Sequence, residues 1–163
     1  MKRFIVLVAA MVLVVLCFTA LFAGEGRFVF SGKVVEDKRT GLTWTRAGDL
    51  GTKDWNGAQD LIKELNADEY AGQKDWRLPT SEELQTLTMF AIKAGSGGGL
   101  QIPGPYQLFT RMGFNNIKPG WYWSSSSKPV NAPSAMVVSM FDGKMRSENK
   151  ESDFWVWPVR SGK

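Results

Sequence analysis

Ten consecutive residues, Asp75-Trp76-Arg77-Leu78-Pro79-Thr80-Ser81-Glu82-Glu83-Leu84, constrain this chain more than any other stretch. Pro79 fixes its own φ and disfavours helix at Leu78, so the chain must arrive extended. Thr80 then stands at a helix N-cap, and Glu83 three residues later completes a capping box. Arg77 precedes the cap, with its guanidinium free to seek a carboxylate or carbonyls. The run predicts a buried Trp76, a structural role for Arg77 and a helix starting at Ser81.

Met1-Lys2-Arg3 followed by the uncharged apolar run Phe4 to Ala23 reads as an export signal. Ala23 suits a cleavage site, although Leu21 is larger than the small residue usual two positions earlier. The run is also long enough to span a bilayer as an uncleaved anchor. Residues 1–23 are therefore read as a signal peptide or anchor. Leu16 is too bulky for a lipoprotein signal at Cys17. The expectation is an exported chain (periplasmic, cell-surface or secreted) that meets membrane only through this segment, if it is retained.

Residues 25–163 suffice for a single domain with its own core. Cys17 is the only cysteine and the chain has no histidine. The exported part thus lacks disulfides, thiolate metal sites, cysteine nucleophiles and the usual proton shuttle. No catalytic residue, metal or cofactor is expected, and the chain is not read as an enzyme. Without Lys2 and Arg3, 18 basic residues face 16 acidic ones. The pI near 9.3 therefore overstates any affinity for polyanions, and nucleic acid is not an expected partner.

Phe28 to Phe30 and Lys33 to Asp37 read as short strands. The polar turn Lys38-Arg39-Thr40-Gly41 leads into Leu42 to Arg46, which alternates as a half-buried strand does and makes a hairpin. Asp37 lacks the clustered oxygens of a calcium loop and reads as a turn-stabilising carboxylate. Trp55, Ala58, Leu61, Ile62 and Leu65 draw one apolar stripe on a helix over Asp54 to Asn66. Leu84, Leu87 and Phe90 do so on the helix from Ser81. The glycine-rich stretch Ala94 to Pro105 lacks the lysine and hydroxyl of a phosphate loop and reads as a surface loop. Trp121 to Ser124, Ala135 to Phe141 and Phe154 to Arg160 are strand candidates. Asp142-Gly143 signals a type I′ hairpin, and Pro158 an edge or bulge. Two helices with antiparallel-looking strands give an α+β class.

The chain has seven tryptophans. Trp44, Trp55 and Trp76 sit where a core is expected. Trp121 with Trp123, and Trp155 with Trp157, share a strand face at period two, so one pair is a candidate ligand platform. Lys128, Lys144, Arg146 and Lys150 form a loose basic set around the last hairpin. Trp121, Trp123, Lys144 and Arg146 are accordingly the candidate ligand-binding residues, for a carbohydrate or acidic polymer. Glu82 and Glu83 are adjacent on a helix and point about 100° apart, which suits capping or pairing with Arg77 or Arg160 better than acid–base work. Ser124 to Ser127 offers hydroxyls with no histidine to activate one.

Val35 to Trp44, then Trp55 and Ala58, then Asp75 to Thr80 with Glu83-Leu84, then Tyr122 to Ser125, and a closing Val159-Arg160 resemble the Lcl C-terminal domain family. The Arg-Leu-Pro-Thr…Glu segment also looks like that of formylglycine-generating enzymes. The resemblance implies a compact α+β domain of C-type-lectin-like kind, with Trp44, Trp76, Arg77, Pro79, Thr80, Glu83 and Arg160 as structural motif residues. It also implies an adhesin-like role, since the namesake is a collagen-like adhesin whose C-terminal domain forms a trimer and binds sulfated glycosaminoglycans. This chain departs from the pattern: it has no collagen-like repeat, is only mildly basic, and carries Ile62 and Trp157-Pro158 where many relatives place cysteines. The missing thiols also remove the copper-cysteine chemistry of the formylglycine-generating enzymes. The functional expectation is an exported binding module for carbohydrate or sulfated glycans, with an envelope assembly component as the alternative.

Overall fold

Alternating residues on either side of polar turns build the first sheet. In the computed structural model, which describes residues 26–95, 104–127 and 132–162, β1 (Phe28–Ser31), β2 (Val34–Asp37) and β3 (Leu42–Thr45) form an antiparallel meander. Gly41 closes the second turn at φ 69°, a left-handed conformation that favours glycine. β9 (Val159–Ser161), from the far end of the chain, joins β3, so the order is β1-β2-β3-β9.

The second sheet holds β4 (Thr52–Lys53), β5 (Trp121–Trp123), β6 (Ser134–Ser139), β7 (Met145–Asn149) and β8 (Phe154–Trp155) in the order β4-β8-β5-β6-β7. Its pairs are antiparallel except β5 with β8. The expected hairpin at Asp142-Gly143 forms, but not through a type I′ turn. Residues 140–144 separate β6 from β7, and Gly143 has positive φ whereas Asp142 does not. The Asp142 carboxylate instead accepts the Lys144 amide at 3.2 Å. The closing run from Phe154 is likewise not one strand. Pro158 has no N–H to give a ladder, and the chain there passes from β8 in one sheet to β9 in the other.

Helix α1 (Trp55–Ala67) starts where Asp54 accepts the Gly57 amide at 2.6 Å. Helix α2 (Ser81–Gly95) begins at the expected residue. A third helix, α3 (Pro105–Met112), overturns the expectation of only two. Its signals were present: Pro105 opens it and Gly113, at φ 107°, ends it. The stretch read as a loop therefore contributes the ends of two helices, and its middle, 96–103, lies outside the described residues.

Trp157 centres the main core. Its ring meets Trp44 at 5.1 Å, Phe114 at 5.6 Å, Phe109 at 5.7 Å and Tyr122 at 6.0 Å between centroids. Its indole N–H donates to the Thr45 carbonyl at 2.9 Å. A second cluster packs Ala58 and Ile62 of α1 against Trp76, Leu78, Trp123, Val137 and Val156. Burying one large apolar side chain contributes about 1.5–3 kcal/mol, which lets a domain without disulfides rely on rings.

Asp37 is buried at the β2–β3 turn, as a turn-stabilising carboxylate should be. It accepts from the Thr40 hydroxyl at 2.9 Å and the Arg39 amide at 3.1 Å. It also takes a two-pronged pair from buried Arg27, at 2.8 and 2.7 Å. That partner escaped sequence reading. The Arg27 guanidinium lies 4.1 Å from the Phe90 ring centroid, tying β1 to α2. Burial alone would push the Asp37 carboxyl up, but the hydrogen bonds from Arg27, Thr40 and Arg39 and the guanidinium charge together hold it below its usual value.

Asp37→Asn should lower unfolding free energy by about 3 kcal/mol at neutral pH, because it leaves a buried guanidinium unpaired. Since the folded carboxyl is depressed, its contribution is complete above the unfolded value of about 3.9 and fades as pH falls through the folded one. Urea melts of the two proteins from pH 7 to pH 2 should therefore converge in acid.

Candidate functional site

The extended arrival of Arg77-Leu78-Pro79 is held from three sides. Arg77 exchanges backbone hydrogen bonds with Val159 at 2.9 and 3.0 Å, which docks the run on β9. Asn66, at the end of α1, grips the Trp76 backbone with both ends of its amide: its oxygen accepts the Trp76 N–H at 2.7 Å and its nitrogen donates to the Trp76 carbonyl at 2.9 Å. The Trp76 ring is buried and donates to the Tyr70 carbonyl at 2.9 Å. Arg160 donates to Asp75 at 2.6 Å.

The capping box forms as the spacing predicts. The Glu83 amide donates to the Thr80 hydroxyl at 3.2 Å, and the Thr80 amide to the Glu83 carboxylate at 2.8 Å. Arg77 closes a fork on the same carboxylate at 2.8 and 2.6 Å. Burial pushes the Glu83 carboxyl up, yet Arg77 and the Thr80 amide outweigh it and keep the group below its usual range. The hydrogen bond to Glu83 in turn raises Arg77.

Beside this helix start lies a cleft of about 550 Å³. Thr80, Ser81 and Glu82 line one side, and Ser125, Ser126 and Ser127 another. Trp55 borders it, with Met136 and Met145. The serine run is locked against the helix: the Ser81 amide donates to the Ser126 hydroxyl at 3.0 Å, and the Ser125 amide to the Pro79 carbonyl at 2.8 Å. Trp55 is fixed by its indole N–H on the Ser124 carbonyl at 3.0 Å and by Lys150, whose ammonium lies 4.2 Å from the ring centroid. Neither Trp55 nor the serines were among the expected ligand residues. The mixture of hydroxyls and an indole was visible, but their convergence depends on the path of the chain.

The four expected ligand residues do not make an open site. Trp123 is fully buried and donates to the Lys53 carbonyl at 2.8 Å, which corrects its reading as an exposed platform. Trp121 is half-buried under Arg146, whose guanidinium lies 4.0 Å from its ring centroid. Arg146 also pairs with Glu148 at 2.5 Å, and Lys144 with Asp142 at 3.0 Å. Lys144 and Arg146 thus each have their own carboxylate. Trp157 is buried and Trp155 half-buried, so the other indole pair gives no exposed platform either. Lys128 lies outside the described residues. Among the described residues, no three histidine, cysteine, aspartate or glutamate side chains converge to hold a metal ion.

Fold and motif together define a mixed α+β domain with an aromatic-rich core, in which the run leading into a capped helix docks on the last strand. Residues 33–160 match the family model described as the Lcl C-terminal domain. The match covers well over half of the chain, which therefore belongs to the Lcl C-terminal domain family. No curated protein matches it.

Thr80→Ala should cost about 1 kcal/mol of stability, as loss of a hydroxyl cap does. Thr80 and Glu83 serve one reciprocal box, so the double variant Thr80→Ala/Glu83→Ala should lose less than the sum of the single losses. Chemical denaturation of the four proteins measures the difference.

Proposed function

We propose that this chain is an exported, non-catalytic binding domain that holds a neutral carbohydrate in the cleft at the start of α2. The observation that carries this reading is the lining itself: five hydroxyls, one carboxylate and a fixed indole around one concavity. Sugars present hydroxyl edges and apolar C–H faces. Serine and threonine hydroxyls both donate and accept, and an indole supplies the apolar surface. The serine run and Trp55 are already tied to the fold, so little order remains to be imposed on binding.

A polyanion fits this cleft poorly. Glu82 would repel it, and the amides of Thr80, Ser81 and Glu83 already have acceptors within the protein. The Lys144 and Arg146 pairings weaken the hairpin as a sulfate-binding surface in the same way. Glycoside hydrolysis uses two carboxylates flanking the bond, whereas Glu83 is committed to Arg77 and only Glu82 borders the cleft.

Glycan arrays followed by titration calorimetry test the reading. Retention should favour neutral glycans and change little with salt. Trp55→Ala should weaken binding about tenfold, equivalent to about 1.4 kcal/mol, with the circular dichroism spectrum unchanged. Glu82→Lys, at an exposed position, is a second probe and should weaken the same glycans. Salt-sensitive retention on heparin alone, or neutral-glycan binding untouched by both variants, would overturn the proposal.

A further inference from the structure

A second hollow, of about 660 Å³, lies along α2 and against the β2–β3 turn, lined by Arg39, Gln85, Met89, Phe90 and Lys93 among others. Met89 is 54% exposed, unusual for a large apolar side chain. Among the described residues, no carboxylate pairs with the side chain of Arg39 or Lys93. Neighbouring Lys38 and Arg27 are paired with Glu36 and Asp37. Residues 96–103, which follow α2, contain no acidic residue.

The position of this hollow on the chain matters. Phe90 forms part of its wall, meets Phe28 edge-on and lies under the Arg27 guanidinium, at the start of the described chain. The apolar run Phe4 to Ala23 therefore joins the fold within a few residues of that wall, with Glu25 the only acidic residue between. A run of that length suffices to span a bilayer. If the run is retained as an anchor, a tether so short would hold the adjacent face of the domain against the membrane surface.

We propose that the apolar run stays in the membrane as an anchor and that this face rests on anionic phospholipid, with Arg39 and Lys93 against headgroup phosphates and Met89 at the headgroup boundary. Each lysine or arginine near an anionic leaflet strengthens adsorption about fivefold, and tethering makes the second contact intramolecular. The partner is a lipid surface rather than a free anion because the cations flank an exposed apolar side chain. The inference is independent of the carbohydrate reading, which concerns the cleft at the other end of α2.

The test uses the full chain, with Cys17→Ser, reconstituted into phosphatidylcholine vesicles with or without phosphatidylglycerol. A fluorophore is placed through Met89→Cys or, on the turn after β7, Glu151→Cys, and a headgroup spin-labelled lipid serves as quencher. With phosphatidylglycerol, quenching at position 89 should exceed that at 151 by about twofold or more, and Arg39→Glu/Lys93→Glu should remove the excess. Raising the salt concentration should also remove it, which needs no variant. Flotation of each labelled variant with the vesicles checks that the apolar segment holds it there, so lost quenching reports orientation, not release, and a full chain that does not float would also overturn the proposal. Equal quenching at the two positions, or an excess indifferent to both charge reversal and salt, would overturn the proposal.

Discussion

The fold depends on the passage of the chain from one sheet to the other between Trp155 and Val159. β8 pairs with β4 and β5, and β9 pairs with β3, so these few residues join both sheets. Trp157 sits at the crossing, fully buried among four rings, with its one polar atom satisfied by Thr45. Pro158 enforces the change of direction, and its carbonyl accepts the Thr45 amide at 3.1 Å. Val159 then receives the backbone of Arg77, so the Arg77-Leu78-Pro79 run has no place to dock until the end of the chain has arrived. The most informative local motif thus depends on the most distant segment. Such non-local pairing carries a loop-closure cost that the ring cluster offsets.

What could be read from sequence was mostly what lies within one turn of helix or one hairpin. The capping box spans three residues, and its chemistry is dictated by Pro79, Thr80 and Glu83 alone. The helix start at Asp54 and the Lys38–Gly41 turn are local in the same sense. Arg77 is less legible, because the sequence leaves Arg77 and Arg160 both open as partners for the nearby glutamates. The docking on β9 resolves it: backbone pairing of Arg77 with Val159 leaves its side chain over Glu83, while Arg160 meets Asp75. Asn66 gripping Trp76 and Arg27 gripping Asp37 are each ten residues apart and follow from no periodicity. The missed helix at Pro105 is a different failure. Its caps were in plain view, but the adjoining glycines made loop the simpler reading.

The tryptophans show how alternation misleads in a small domain. Period two correctly places Trp121 and Trp123 on one face of β5, yet says nothing about what covers that face. Here α1 covers the Trp123 end and Arg146 lies over Trp121, so the pair is core and lid instead of platform. A cysteine-free domain has few alternatives. Its stability must come from apolar area, and large rings supply the most area per residue. The indole that borders a concavity, Trp55, lies on a helix, where period-two reasoning does not look.

Charge is distributed largely by short-range pairing. Around the last hairpin Lys144, Arg146, Asp142 and Glu148 pair off at short range, and exposed pairs of this sort add little stability. Their effect is instead to cancel each other's field beyond the first few ångströms. The same holds at the start of α2, where the Glu83 carboxylate accepts from both the Thr80 amide and Arg77. A cleft next to a helix N-terminus would ordinarily invite phosphate or sulfate. In this chain the capping box and Ser126 already occupy the amides of Thr80, Ser81 and Glu83. What lines the cleft is hydroxyl chemistry and an indole, so the device that starts the helix also shapes the chemistry of the cleft beside it.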